Sequence, residues 1–331
     1  MTKALSNLRI QQIVLFTGLT LFAIKTVAWL LTGSVSILTD ALESTVNVIG
    51  GFMGLYSIWL SQQPRDANHP YGHGKIEFVS AGMEGGLIFI AGCWIIYEAI
   101  QKLSHPTEVK ELGIGILLIA VAGGINWLVG WTTYKQGVRT HSLALEASGK
   151  HLMSDAYTSL GILVGLILLR WTGYAWIDSA VAMLFAFVIL VQGFRIVRQA
   201  LAGIMDETDH ALLLELAALI QEHRRPAWVD IHNLRIIKYG SLLHIDCHLT
   251  LPWYLNMHEG HKEVDALTDL IRERFGNRVE FYIHLDGCLP FSCAICQMPD
   301  CPQRTQPFQS QIVWTVENMS ENSKHRLQSS A

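Results

Sequence analysis

Six apolar stretches, at about 10–32, 34–60, 78–101, 113–134, 142–170 and 175–200, are each long enough to cross a bilayer as a helix. From about residue 205 onward the 331-residue chain reads as soluble. Charged residues make up 16% and hydrophobic ones 50%, with mean hydropathy +0.30; a soluble globular protein is nearer about a quarter charged. The net charge of −4 leaves no basic surface for nucleic acid. The N-terminal MTKALSNLRIQQ leads into an apolar run too long for a signal h-region and without a clear cleavage site.

Thr32-Gly33-Ser34 predicts a tight hairpin between spans one and two, and Trp171-Thr172-Gly173-Tyr174 another between spans five and six, with Asp178 capping the start of the sixth helix. One side of the membrane collects Lys3, Arg9, Arg65, Lys75, Lys135, Arg139, Lys150, Arg195 and Arg198; the other has Lys102, Lys110 and Arg170. That asymmetry, with an even number of spans, places both termini in the cytoplasm.

Two spans carry polar pairs at helical spacing. His151 and Asp155 lie one turn apart in span five, and Glu43 and Asn47 do the same in span two, where Asp40 shares their face. Ionisable groups in a bilayer are costly and mark ion or substrate pathways. Two such pairs can close a four-ligand cage for a divalent metal between two helices, and their mixture of oxygen and imidazole donors suits zinc or another borderline divalent ion. The alternative for Asn47 is an ordinary interhelical hydrogen bond. Lys25 in span one and Glu84 in span three are expected to pair with each other, or Lys25 to reach an interface. Gly82 and Gly86 read as a small-residue packing patch.

The loop 64–75 carries Asp66, His69 and His73, which can hold a metal or form a solvated turn; Pro70 and the adjacent glycines break any helix there. Beyond residue 205 the pattern is a helix over 207–223, strands over 228–238 and 241–251 joined by a turn at Tyr239-Gly240, a helix over 258–275 and a strand over 279–286. This α-β-β-α-β order suits a small open-faced α+β domain. Alternation puts Leu243, Ile245, Cys247 and Leu249 towards the helices and His244, Asp246 and His248 outwards; Phe281, Ile283 and Leu285 point in, while Tyr282, His284 and Asp286 point out. With His232, His258 and His261, the outer face is rich enough in imidazole to predict a metal site or a subunit contact. Cys288, Cys293, Cys296 and Cys301 contain one C-x-x-C and form a candidate thiolate site, zinc-like more than iron–sulfur. The polar segment after Cys301 is expected to be disordered.

Taken together, Ser34-Val35-Ser36-Ile37-Leu38-Thr39-Asp40-Ala41, Asn68-His69-Pro70-Tyr71-Gly72-His73-Gly74-Lys75, His151-x-x-x-Asp155 and the His-rich tail resemble the cation diffusion facilitator family of divalent-metal/proton antiporters over about residues 8–290. The resemblance implies a polytopic six-helix transmembrane domain over 1–205, a ferredoxin-like (metallochaperone-like) cytoplasmic domain over 206–290 for metal binding and dimerisation, and a Cys-containing tail over 291–331. It implies a homodimer in a bacterial inner membrane, exporting metal from the cytoplasm through Glu43, Asn47, His151 and Asp155. It further implies a Lys75–Asp206 charge interlock, a cytoplasmic binuclear site of His232, His248, His261, His284 and Asp286, and a loop site of Asp66, His69 and His73. Zinc-type members usually carry Asp or His, then Asp, where this chain has Glu43 and Asn47. Asn occurs there in manganese-type members, but His151 returns the ranking to zinc first, ahead of iron, cobalt, cadmium and manganese. No His-Glu-x-x-His occurs and no enzymatic activity is expected; a membrane-anchored metal sensor is the alternative class.

Overall fold

The computed structural model describes residues 2–105, 110–140, 143–239, 242–276 and 279–327. Two compact units emerge, residues 1–59 with 77–201, and 60–76 with 202–331. The first contains six long helices: α1 (Thr2–Thr32), α2 (Val35–Ser61), α3 (Ile76–Ser104), α4 (Leu112–Thr140), α5 (Leu143–Thr172) and α6 (Trp176–Ile204). Among the described residues, α1, α3, α4, α5 and α6 contain segments long and apolar enough to cross a membrane. Helix α2 has comparable length but carries Asp40, Glu43 and Asn47 in its first half.

The turns form as the glycines predict. Gly33 and Gly173 adopt φ +63° and +71°, the left-handed conformation that ends a helix cheaply only at glycine. Their amides close onto Trp29 and Leu169 carbonyls at 2.8 and 2.9 Å. Close helix packing also uses glycine, but with a different face from the one expected. A Cβ on Gly85 would sit 2.8 Å from Ile196, and one on Gly193 would sit 2.8 Å from the Phe89 backbone nitrogen, so α3 and α6 approach through Gly85 and Gly193. Gly82 meets Ala200, whereas Gly86 faces open space.

Two further expectations are corrected. Asp178 does not cap its own helix: from the first turn of α6 its carboxylate accepts the Ser34 hydroxyl at 2.5 Å, the Val35 amide at 2.8 Å and the Ser36 amide at 3.2 Å, capping α2 instead. Lys102 completes this buried group at 3.2 Å. Lys25 pairs with Asp40 at 2.7 Å, and not with Glu84; both partners are fully buried.

In the second unit, α7 (His210–Glu222), β1 (Asp230–Tyr239), β2 (Leu242–Leu251), α8 (Met257–Phe275) and β3 (Val279–Gly287) follow the expected α-β-β-α-β order. Gly240 of the expected turn lies outside the described residues. Asp209 caps α7 through the Ala211 and Leu212 amides, and Asn256 with Glu259 forms a capping box on α8. The sheet order is β1-β2-β3, antiparallel then parallel, with α8 as the crossover. Leu213, Leu216 and Ile220 of α7 and Leu267 and Ile271 of α8 bury one sheet face with Ile231, Ile245, Cys247 and Leu249. Burial pushes the Cys247 thiol far above its ordinary range. Leu285 points towards α8 as expected, its Cδ1 3.7 Å from where a Cβ on Gly260 would lie, but is partly exposed on the edge strand β3. His244 lies on the outer face as alternation requires, yet it is buried beneath Tyr71, Tyr239 and Tyr282.

The segment after Cys301 is not disordered over its described part, which ends at residue 327. A short helix, α9 (Val316–Met319), brings Trp314 and Met319 into the same core. The Asn233 amide, at a bulge in β1, donates to the Glu321 carbonyl at 2.7 Å. Arg224 lies 3.7 Å from the centre of the Trp314 ring, and burial lowers its guanidinium to about 10. The apolar content of the tail is low, but its two largest anchors are well placed. Trp314→Ala should remove about 3–5 kcal/mol from this unit, seen as faster hydrogen exchange of α7 and β1 amides in the full-length protein. Unchanged exchange would contradict a packed tail.

Candidate metal centres

Helices α2 and α5 meet through their polar side chains. The Asn47 amide donates to Asp155 Oδ2 at 3.1 Å, and one turn away the Ser159 hydroxyl donates to Asp40 at 3.2 Å. His151 Nε2 stands 3.9 Å from Asp155 Oδ1. Asp155 is buried, whereas His151 is about half exposed. Glu43, Asn47, Glu84 and His151 line one cavity; Asn47, His151 and Asp155 line a second with Asn126 and Ser148. One Glu43 carboxylate oxygen is buried with no hydrogen-bond partner among the described residues. The structure therefore gathers Asn47, His151 and Asp155 and places Glu43 on the adjoining wall.

Lys25 pairs with Asp40, and Glu84 and Arg195 line the cavity walls with Glu43. Among the described residues, no lysine or arginine is ion-paired with Glu43 or Asp155. Asn126 of α4 was not singled out from the sequence. It is 1% exposed and neither of its amide atoms is hydrogen-bonded among the described residues. Its only signal is a lone polar residue in a long apolar run.

In the loop between α2 and α3, Asp66 Oδ1 accepts the His69 amide at 2.6 Å and the Asn68 amide at 2.9 Å. Those donors, His69 first, hold its carboxyl below the ordinary range. His69 Nδ1 lies 3.0 Å and His73 Nε2 3.5 Å from the Asp66 carboxylate. One ligand atom from each of the three lies within 4.8 Å of the others. A turn at 70–72, not a helix, makes this possible. Lys75 and Asp206, the expected interlock, join at 2.9 Å, with Lys75 over the Tyr239 ring.

The sheet gathers a third group. Register aligns His232 with His248 and His248 with His284. Asp286 Oδ2 lies 3.4 Å from His232 Nε2 and 3.5 Å from His248 Nδ1, while its other oxygen is 3.7 Å from His284 Nε2. Burial and neighbouring His232 pull His248 below its ordinary value, against the opposing charge of Asp286; a neutral imidazole is the form that ligates metal. Behind His232, Asp230 faces its other ring nitrogen at 3.3 Å and also bonds His325. Burial alone would raise Asp230, but its bonds with His232 and His325 hold it far below the carboxylate range. A carboxylate behind a histidine is the usual support for a metal ligand. Sequence reasoning missed Asp230, His325 and Lys324, the last lying 3.7 Å from Asp286. His261 does not join this group within one chain: it is exposed on α8, 3.6 Å from Asp265.

The four tail cysteines are all unpaired thiols, with Cys293 and Cys296 buried and Cys288 and Cys301 partly so.

Residues 12–205 match the family model described as the cation efflux transmembrane domain, and residues 209–288 match that of the cation efflux protein cytoplasmic domain. An uncharacterised transporter of Synechocystis sp. is 33% identical over 80% of this chain and 86% of its own. The cation-efflux pump FieF of Salmonella typhi is 30% identical over 81% of this chain and 88% of its own, and that of Shewanella oneidensis 27% over 82% and 90%. Six long helices, a three-stranded C-terminal domain and two independent family matches identify this chain as a cation efflux transporter of the cation diffusion facilitator family.

Proposed function

We propose that this transporter exports a divalent transition metal, zinc first, from the cytoplasm in exchange for protons, as a homodimer with both termini cytoplasmic. The observation that carries the reading is the contact of α2 with α5 through Asn47 and Asp155, with His151 one turn away and Glu43 on the adjoining wall. With His151 neutral, the carboxylates of Glu43 and Asp155 match one divalent cation in charge. Oxygen and imidazole donors favour zinc, cobalt and related ions over calcium or magnesium. The loop group Asp66, His69 and His73 is suited to hold a second, weaker-bound metal, and the Lys75–Asp206 pair to act as a charge interlock.

Coupling follows from histidine chemistry. Imidazole binds metal only when deprotonated, and histidine is the side chain whose protonation ordinarily changes near neutral pH. Facing the cytoplasm, neutral His151 takes metal; facing a more acidic exterior, a proton displaces the metal and returns inward with the protein. In proteoliposomes, His151→Ala and Asp155→Ala should each slow metal flux by on the order of tenfold or more, since even supporting residues of metal sites are worth about that much. An imposed acidic lumen should accelerate uptake in the native protein. Metal uptake with no accompanying lumenal pH change would contradict antiport.

Metal at His232, His248, His284 and Asp286 is proposed to regulate transport by favouring one state of the dimer, with His261 contributed at the subunit contact. His232→Ala combined with Asp286→Ala should leave flux at saturating metal but shift half-activation to higher metal concentration. An unchanged activation curve would rule this role out.

A further inference from the structure

We propose that Cys288, Cys293, Cys296 and Cys301 form a closed tetrathiolate site for a soft divalent ion, zinc foremost, that staples the C-terminal tail to the sheet. The two ends of this site come from different parts of the domain. Cys288 follows β3 and its amide still donates to the Leu251 carbonyl of β2 at 2.8 Å. The other three lie in the following loop, which begins with a 3-10 helix at Pro290–Ala294. Cys293-x-x-Cys296 closes a tight turn there, with the Cys296 amide 3.4 Å from the Cys293 carbonyl, the local geometry by which two thiolates grip one metal. Cys293 and Cys296 are buried and Cys288 and Cys301 partly so on this one loop; no three of the four sulfurs lie within 4.8 Å of one another, so binding an ion draws them together by side-chain rotation.

Each sulfur already faces a hydrogen-bond donor. The Trp253 amide points at Cys288, the Met298 amide at Cys296, and the Thr305 and Gln306 amides at Cys293; the Tyr254 hydroxyl meets Cys301. The Thr305 hydroxyl lies 3.5 Å from Cys293 Sγ. Four thiolates around a divalent ion leave a net charge of −2. Arg304 supplies positive charge inside the loop and shapes it, donating to the Cys293, Cys296 and Met298 carbonyls at 3.0, 3.2 and 2.8 Å. The partly exposed Cys288 and Cys301 provide the path for entry.

The donor set separates this site from the histidine–carboxylate groups. All-sulfur ligation selects zinc or cadmium over manganese or magnesium, and four protein ligands leave no open position, as in a structural site. Its place gives it a role: it joins the end of β3 to the segment that carries Trp314 into the core and His325 to Asp230.

The test uses reduced, full-length protein in detergent with Co2+ as the probe and Zn2+ as competitor. Near-ultraviolet sulfur-to-cobalt charge transfer is expected to rise to one equivalent, to bleach on adding Zn2+, and to vanish in Cys293→Ser and Cys296→Ser. The same band should persist in Asp155→Ala and in His232→Ala with Asp286→Ala, whose sites contain no sulfur. A second readout needs no variant: Zn2+ should protect four of the six cysteines from alkylation in the native protein. No charge-transfer band in the native protein, a band surviving both Cys→Ser changes, or an unaltered count of reactive thiols would overturn the proposal.

Discussion

Burying a charge in a low-dielectric interior costs several kcal/mol per ion even after relaxation, and the membrane unit meets that constraint in three different ways. Lys25 and Asp40 neutralise each other at 2.7 Å, and Lys102 shares Asp178 with the start of α2. Among the described residues no lysine or arginine is ion-paired with Glu43 or Asp155; Asp155 accepts the Asn47 amide and stands 3.9 Å from a half-exposed His151. The first two arrangements are complete without a ligand. The third is suited to a divalent ion as its counter-charge, which is the physical argument for the proposed transport site.

The same logic distinguishes the C-terminal groups. Parallel pairing of β2 with β3 and antiparallel pairing of β1 with β2 bring His232, His248 and His284 side by side on the face opposite the core. Strand register, not loop conformation, sets that group, and the Asp230–His325 contact ties it to the tail. The Asp66 cluster depends instead on a short turn. The sheet group thus has rigid support, whereas the loop group rests on a turn.

Much of this architecture was legible in the chain. Long apolar runs delimited the helices, Gly33 and Gly173 marked two hairpins, and alternating strands set the faces of the C-terminal sheet. Spacing of four residues identified His151 with Asp155 and Glu43 with Asn47. What escaped was long-range. Nothing local says that Asp178 will cap a helix beginning 143 residues earlier, or that Lys25 will choose Asp40 over Glu84. Gly85 and Gly86 are equivalent in composition and differ only in which faces α6. The tail misled because its polarity outweighs two buried anchors, Trp314 and Met319, whose value depends on the core awaiting them. His261 fits the resemblance but stands apart within one chain, since sequence cannot say which ligands a single subunit gathers.

The most direct test of the central claim is anomalous diffraction at the zinc edge from crystals of the zinc-loaded protein. The account predicts a peak between α2 and α5, coordinated by Glu43, Asn47, His151 and Asp155. Zinc peaks at the C-terminal and loop groups with none between these two helices would contradict it.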